Sequence, residues 1–142
     1  YFRRLGMECT AQIALNGRRV LMSFNEICDV NEEINRLPYT STVDPLWEPI
    51  DDDSDGGTCS NYAVAKLRRL VALGFPIETL RLATCWVDPR KNPLTDYHAV
   101  LWIDFEGGTY ELSNGLPVRP ATMSNFIYDK IQIAGTDKWE LA

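Results

Sequence analysis

The stretch that most constrains this chain runs from Gly56 to Leu73. Two glycines are followed by Thr58-Cys59-Ser60-Asn61-Tyr62-Ala63 and then by Val64 to Leu73, which contains neither glycine nor proline. Such a run predicts a helix that starts at Cys59 and is halted by Gly74 in the position after its cap, with Pro76 beyond. Ala63, Leu67, Leu70 and Val71 recur at helical steps and predict the packed side, leaving Lys66, Arg68 and Arg69 for solvent. Cys59 therefore sits on the first turn. There the backbone N–H groups lack intrahelical partners, and together with the helix dipole they favour a thiolate. A cysteine at this place can also be a small apolar residue packed under the helix start. The rest of the chain has to decide between the two.

The 142 residues, 45% of them hydrophobic, predict one domain over 1–142, with residues 1–22 as a linker or hairpin. No apolar run approaches the roughly 18 residues of a membrane span. A formal charge of −6 argues against nucleic acid as a partner, because phosphate binding needs clustered Lys and Arg. A protein or peptide substrate stays open. Cys9, Cys28, Cys59 and Cys85 form no C-x-x-C pair, and His98 is the sole histidine. A zinc site is not expected on that pattern, and free thiols are. The chain opens on Tyr1 rather than methionine, so a signal peptide, a pro-segment or an upstream domain is expected before it.

Along the chain, Thr10–Leu15 and Arg18–Met22 flank Asn16-Gly17, a hairpin signal. Ile27, Val30, Ile34 and Leu37 then recur at steps of three and four behind Ser23-x-x-Glu26, predicting a helix from Phe24 to Leu37 whose Asn31, Asn35 and Arg36 face water. Residues 38–57 carry three prolines and Asp51-x-Asp53-x-Asp55-Gly56, the first half of a calcium loop without its closing glutamate. An acidic loop in solvent is the plainer reading. Trp47 in this loop is expected to pack. Arg81–Val87, Asp96–Phe105 and Thr109–Leu112 read as strands, the last two joined at Glu106-Gly107-Gly108. After Pro117, a short helix or turn over Ser124–Tyr128 and one last edge strand at Ile131–Ile133 are expected, with Trp139 packing.

The order of polar residues carries chemistry. A thiol nucleophile needs a base that also protonates the leaving amine, and an imidazole base needs a third group to fix its tautomer. Cys59, His98 and Ser113 or Asn114 occur in that order on a helix start, a strand and the next strand end. A histidine on an apolar strand can equally be a satisfied core residue, and Asn114-Gly115 can be a plain turn.

The segments Gly57-Thr-Cys-Ser-Asn-Tyr-Ala-Val-Ala-Lys66, Leu73-Gly-Phe-Pro76, Tyr97-His-Ala-Val-Leu101 and Leu112-Ser-Asn114, with Phe24-Asn-x-x-x-x-Val-Asn-x-x-Ile-Asn-Arg36 and Trp47 upstream, resemble the bacterial transglutaminase-like cysteine proteinases. The resemblance covers about residues 24–116. It implies an α+β, transglutaminase- or papain-like fold in which N-terminal helices pack on an antiparallel β-sheet. It implies a cysteine peptidase, an amide hydrolase acting on a protein or peptide, with Cys59 as nucleophile and His98 as base. The family usually has Leu-Asp-Asn where this chain has Leu112-Ser113-Asn114, so either Ser113 or Asn114 orients the imidazole. The alternative is a catalytically weak domain kept as a structural or binding part, for example of a phage particle.

In periplasmic members of the family, acidic residues flanking the cysteine bind calcium. Those positions here are Thr58, Ser60 and Asn61, so no cofactor is expected unless Asp51, Asp53 and Asp55 take the ion. The resemblance also implies a periplasmic, secreted or virion-associated protein, without membrane insertion and open to a larger assembly.

Overall fold

The computed structural model describes residues 10–15, 18–37 and 58–142. Strands β1 (Thr10–Leu15) and β2 (Arg18–Ser23) pair antiparallel with Leu15 opposite Arg18, as the hairpin signal predicts. The Asn16-Gly17 turn, Cys9, Trp47, Gly56-Gly57 and the aspartates at 51, 53 and 55 lie outside the described residues.

Helix α1 (Phe24–Asn35) begins at Ser23, whose hydroxyl accepts the Asn25 N–H at 3.1 Å. It buries Phe24, Ile27, Cys28, Val30 and Ile34. Asn31, expected in water, is only 1% exposed. Helix α2 (Cys59–Ala72) ends as predicted. Gly74 takes φ +105°, its N–H bonds to the Val71 carbonyl and the Phe75 N–H to the Leu70 carbonyl, which closes the last turn.

The packed side of α2 departs from expectation. Val71 is 40% exposed while Lys66 is fully buried. The helix is covered by α1 on one flank and by the sheet on another. The inward line is therefore Cys59, Tyr62, Ala63, Lys66 and Leu70, a run of three- and four-residue steps that passes through a lysine. The Tyr62 hydroxyl donates to the Leu37 carbonyl, and Arg69 pairs with Glu33 at 2.8 Å, so the two helices are locked at several heights.

After a 3₁₀ turn at Ile77–Thr79 come β3 (Leu80–Trp86), β4 (Tyr97–Phe105) and β5 (Gly108–Leu112). The β4–β5 connection uses Glu106 and Gly107 at φ +48° and +80°, a two-residue turn whose twist matches the strands. The short β6 (Arg119–Pro120), β7 (Ile127–Gln132) and β8 (Trp139–Leu141) complete a six-stranded antiparallel sheet in the order β6-β5-β4-β3-β7-β8. The helix or turn expected at Ser124–Tyr128 is instead a 3₁₀ turn at Ala121–Met123 followed by strand. β7 is interior rather than an edge, because β8 pairs on its outer side.

The period-two alternation of β4 divides the core. Leu101, Ile103 and Phe105 join Leu80, Leu82 and Leu112 beneath the helices, with Trp139 packed against this cluster. Val100 joins Ala83, Cys85 and Ile131 in a second cluster, against which Trp102, Phe126 and Tyr128 pack. The architecture is α+β, as expected.

Candidate active site

The site begins with the cap of α2. Asn61 Oδ1 accepts both the Thr58 N–H at 2.8 Å and the Thr58 hydroxyl at 3.0 Å, and the Thr58 and Ser60 hydroxyls are 3.1 Å apart. This closed cluster fixes where the first turn starts, and so where Cys59 points. Cys59 is half-buried. Burial pushes its thiol up, against the opposing pull of the N–H groups of Ala99, Ser60 and Cys59 itself, which favour the thiolate. The Ala99 contact has a topological origin. Pairing of β5 with β4 stops at Leu112 and Leu101, and beyond that last pair the Ala99 N–H acts on the Cys59 sulfur where β5 no longer reaches.

His98 directly precedes Ala99 on β4, the residue whose N–H lies against the Cys59 sulfur. Its Nε2 lies 2.8 Å from Ser113 Oγ. Ser113 is the first residue after β5 and is 2% exposed. Asn114 makes no hydrogen bond to the ring: among the described residues its buried Oδ1 has no partner. With Nε2–H donating to Ser113, Nδ1 is the basic nitrogen. Among the described residues no hydrogen bond joins that nitrogen to the Cys59 sulfur. Burial first, then the charges of Lys66 and Arg119, bring the imidazole pKa down to about 4, so His98 is neutral at physiological pH. Both the Cys59 thiol and the His98 imidazole rest neutral at that pH.

Three supporting residues escape a reading by residue type. Asn31 Nδ2 donates to the Leu116 carbonyl at 2.8 Å, and Asn35 Nδ2 to the Ser113 carbonyl at 3.1 Å and to that of Leu116 at 3.4 Å. The two asparagines, one turn apart on α1, clamp the turn that carries Ser113. Their signal was the i, i+4 spacing, which contradicts a solvated face only once the turn is known to lie against it. Lys66 is the third. Among the described residues its Nζ has no hydrogen-bond partner, and burial brings its pKa down to about 7. Its separation of seven residues from Cys59, two turns along the same helix face, was the available clue.

The remaining thiols contrast with Cys59. Cys28 and Cys85 are buried thiols outside any disulfide among the described residues, in line with the expected thiol state. Cys85 lies opposite His98 on β3, and burial together with the Glu111 carboxylate pushes its thiol up to about 12. It is inert at neutral pH.

The residues at the α2 start do not fit calcium. A hard dication takes several oxygens with carboxylates among them, whereas Thr58, Ser60 and Asn61 are neutral and their oxygens are engaged in the cap. No group of three or more His, Cys, Asp or Glu that could hold a metal occurs among the described residues.

Known proteins place this arrangement. Among curated proteins none matches the chain. Three solved structures of LapG from Legionella pneumophila are similar in fold. The calcium-bound form has a TM-score of 0.61 at 22% identity over 83% of this chain and 68% of that one. A second has a TM-score of 0.66 at 21% identity over 82% and 66%. The EGTA-treated form has a TM-score of 0.62 at 22% identity over 83% and 66%. The sequence pattern of the bacterial transglutaminase-like cysteine proteinases, a family of cysteine peptidases, matches residues 1–140. A helix-borne thiol, a strand-borne imidazole and a family match across nearly the whole sequence converge: this chain belongs to the bacterial transglutaminase-like cysteine proteinases.

Proposed function

We propose that residues 1–142 form one transglutaminase-like domain that hydrolyses amide bonds in a protein or peptide, with Cys59 as nucleophile, His98 as base and acid, and Ser113 as the group that fixes the imidazole tautomer. The observation that carries this is the 2.8 Å contact of His98 Nε2 with Ser113, on the strand whose next residue, Ala99, turns its N–H toward the Cys59 sulfur.

The chemistry follows from the neutral pair. The Cys59 proton passes to His98 Nδ1 as the sulfur attacks the substrate carbonyl, forming the C–S bond. The oxyanion develops next to the first-turn N–H groups of α2. The imidazolium then gives its proton to the amine, the C–N bond breaks, and water, deprotonated by His98, hydrolyses the thioester. Ser113 accepts the imidazole N–H but supplies no negative charge to the imidazolium. The proton transfer is therefore steeper than beside a carboxylate.

That same feature favours a second reading, a catalytically weak member retained for binding within a larger assembly. Iodoacetamide labelling followed by peptide mass spectrometry separates the two. Exposure alone makes Cys59 react faster than buried Cys28 and Cys85, so the deciding measurement is His98→Ala. A slowing of about tenfold or more at pH 8 supports base catalysis at Cys59. An unchanged rate leaves the binding role.

The family supports a periplasmic or secreted site of action, and no described helix is long and apolar enough to cross a membrane. Calcium is not assigned to the α2 start. Asp51, Asp53 and Asp55 are the remaining donors proposed for it.

A further inference from the structure

With one neutral hydroxyl on the imidazole, something else must hold the ring, and the face of the sheet turned away from the helices supplies it. Phe126 meets His98 edge-on, with ring centroids 5.3 Å apart and an interplanar angle of 71°. The Arg119 guanidinium carbon lies 4.7 Å from the centroid of the same phenyl ring. Arg119 Nε donates to Glu111 Oε2, and its Nη2 lies 3.3 Å from Ser124 Oγ. Glu111 Oε1 accepts from the Ser124 hydroxyl at 2.6 Å and from the Tyr128 hydroxyl. Ser124 Oγ also accepts the Phe126 N–H at 3.1 Å, which ties the backbone of the wedge to the network. Tyr128 is braced in turn by Trp102, with ring centroids at 4.6 Å.

Glu111 is fully buried. A buried carboxylate is costly unless its charge is paired and its oxygens are bonded, and here both oxygens are bonded. All the groups it holds converge on the segment carrying Phe126.

We propose that Phe126 is a positioning residue for His98, clamped against the imidazole by the Glu111–Arg119–Ser124–Tyr128 network. Aromatic packing on one side and Ser113 on the other then do what a charged third residue does elsewhere: they fix the ring plane and keep water off it. Phe126 also touches both the imidazole and the Arg119 guanidinium. The ionisable groups facing His98 are Lys66 from α2, Arg119 from β6 and Cys85, opposite it on β3.

The inference rests on the proposed role of His98, but its test has an independent readout. Because His98 is the sole histidine, its ring resonances titrate without overlap in a histidine-selective NMR experiment. In Phe126→Ala, loosened packing admits water. The His98 midpoint is expected to rise by at least one pH unit and the Cys59 labelling rate at pH 7 to change about tenfold, with Phe126→Leu intermediate. Should Phe126→Ala fail to fold, Phe126→Leu and Arg119→Met carry the same comparison. A folded variant with the wild-type His98 titration overturns the proposal. Failure of the peptidase reading looks different: His98→Ala leaves Cys59 labelling unchanged while the Phe126 variants still shift the His98 titration.

Discussion

Lys66→Met probes the least expected feature of the molecule, a fully buried lysine whose Nζ has no hydrogen-bond partner among the described residues. Burial lowers its pKa from 10.5 to about 7. Below about pH 7 both folded and unfolded chains carry the proton, and the folded state bears the whole desolvation cost of about 5 kcal/mol. Between about pH 7 and 10.5 the unfolded chain binds more protons than the folded one, so the Lys66 contribution to stability rises with pH. It stays flat at more acidic pH. At pH 9 the remaining cost is about 2 kcal/mol.

Methionine keeps the unbranched shape without the charge. K66M should therefore be more stable than the wild type by up to about 5 kcal/mol at pH 6, falling to about 2 kcal/mol at pH 9. Relaxation around the ammonium scales both figures down but keeps the larger at acidic pH. Urea unfolding of both proteins under reducing conditions at the two pH values gives the comparison directly. An equal gain at both, or a K66M protein less stable at pH 6, would refute the reasoning.

Ser113→Asp places a carboxylate at Nε2, so the His98 midpoint should rise by more than one unit and Cys59 labelling near neutrality should accelerate. Ser113→Ala should slow labelling by up to about tenfold, the worth of one hydrogen bond, while Asn114→Ala leaves it unchanged. Asn31→Ala removes the shorter of the two amide hydrogen bonds to the Leu116 carbonyl and should cost about 1 kcal/mol in urea unfolding. Asn35→Ala should in addition alter the Cys59 rate, because it frees the Ser113 turn. Since the α2 start is closed by neutral groups, EGTA should leave Cys59 labelling unchanged. A calcium-dependent rate abolished by Asp51→Asn, Asp53→Asn and Asp55→Asn together would place the ion in that loop instead.

The parts of this fold governed by local chemistry were legible in the sequence. The stop at Gly74, the hairpin strands on either side of Asn16-Gly17 and the strand carrying His98 follow from backbone preference and period. What could not be read was decided by neighbours. Lys66 looked solvent-facing because a charge was taken to mark the outer side, yet α1 and β4 widen the buried arc of α2 until it includes that position. Asn31 and Asn35 face a turn more than seventy residues away, invisible to a helical wheel. The choice between Ser113 and Asn114 depended on where β5 releases β4, since one residue of slip reverses the side a side chain takes. β7 was misread over Ser124–Tyr128 because the partner that makes it interior, β8, is a three-residue strand with little pattern of its own.

The release of β5 from β4 also gives the Cys59 sulfur a task in the scaffold, as acceptor for an Ala99 N–H that β5 does not reach. An alanine at position 59, the usual choice for an inert form that captures substrate without cutting it, removes that acceptor and leaves a main-chain donor unpaired beside the cleft, at a cost of about 1–3 kcal/mol. Serine keeps an oxygen there. For this protein the faithful decoy is C59S, whose cleft retains the seam between helix and sheet that the thiol closes.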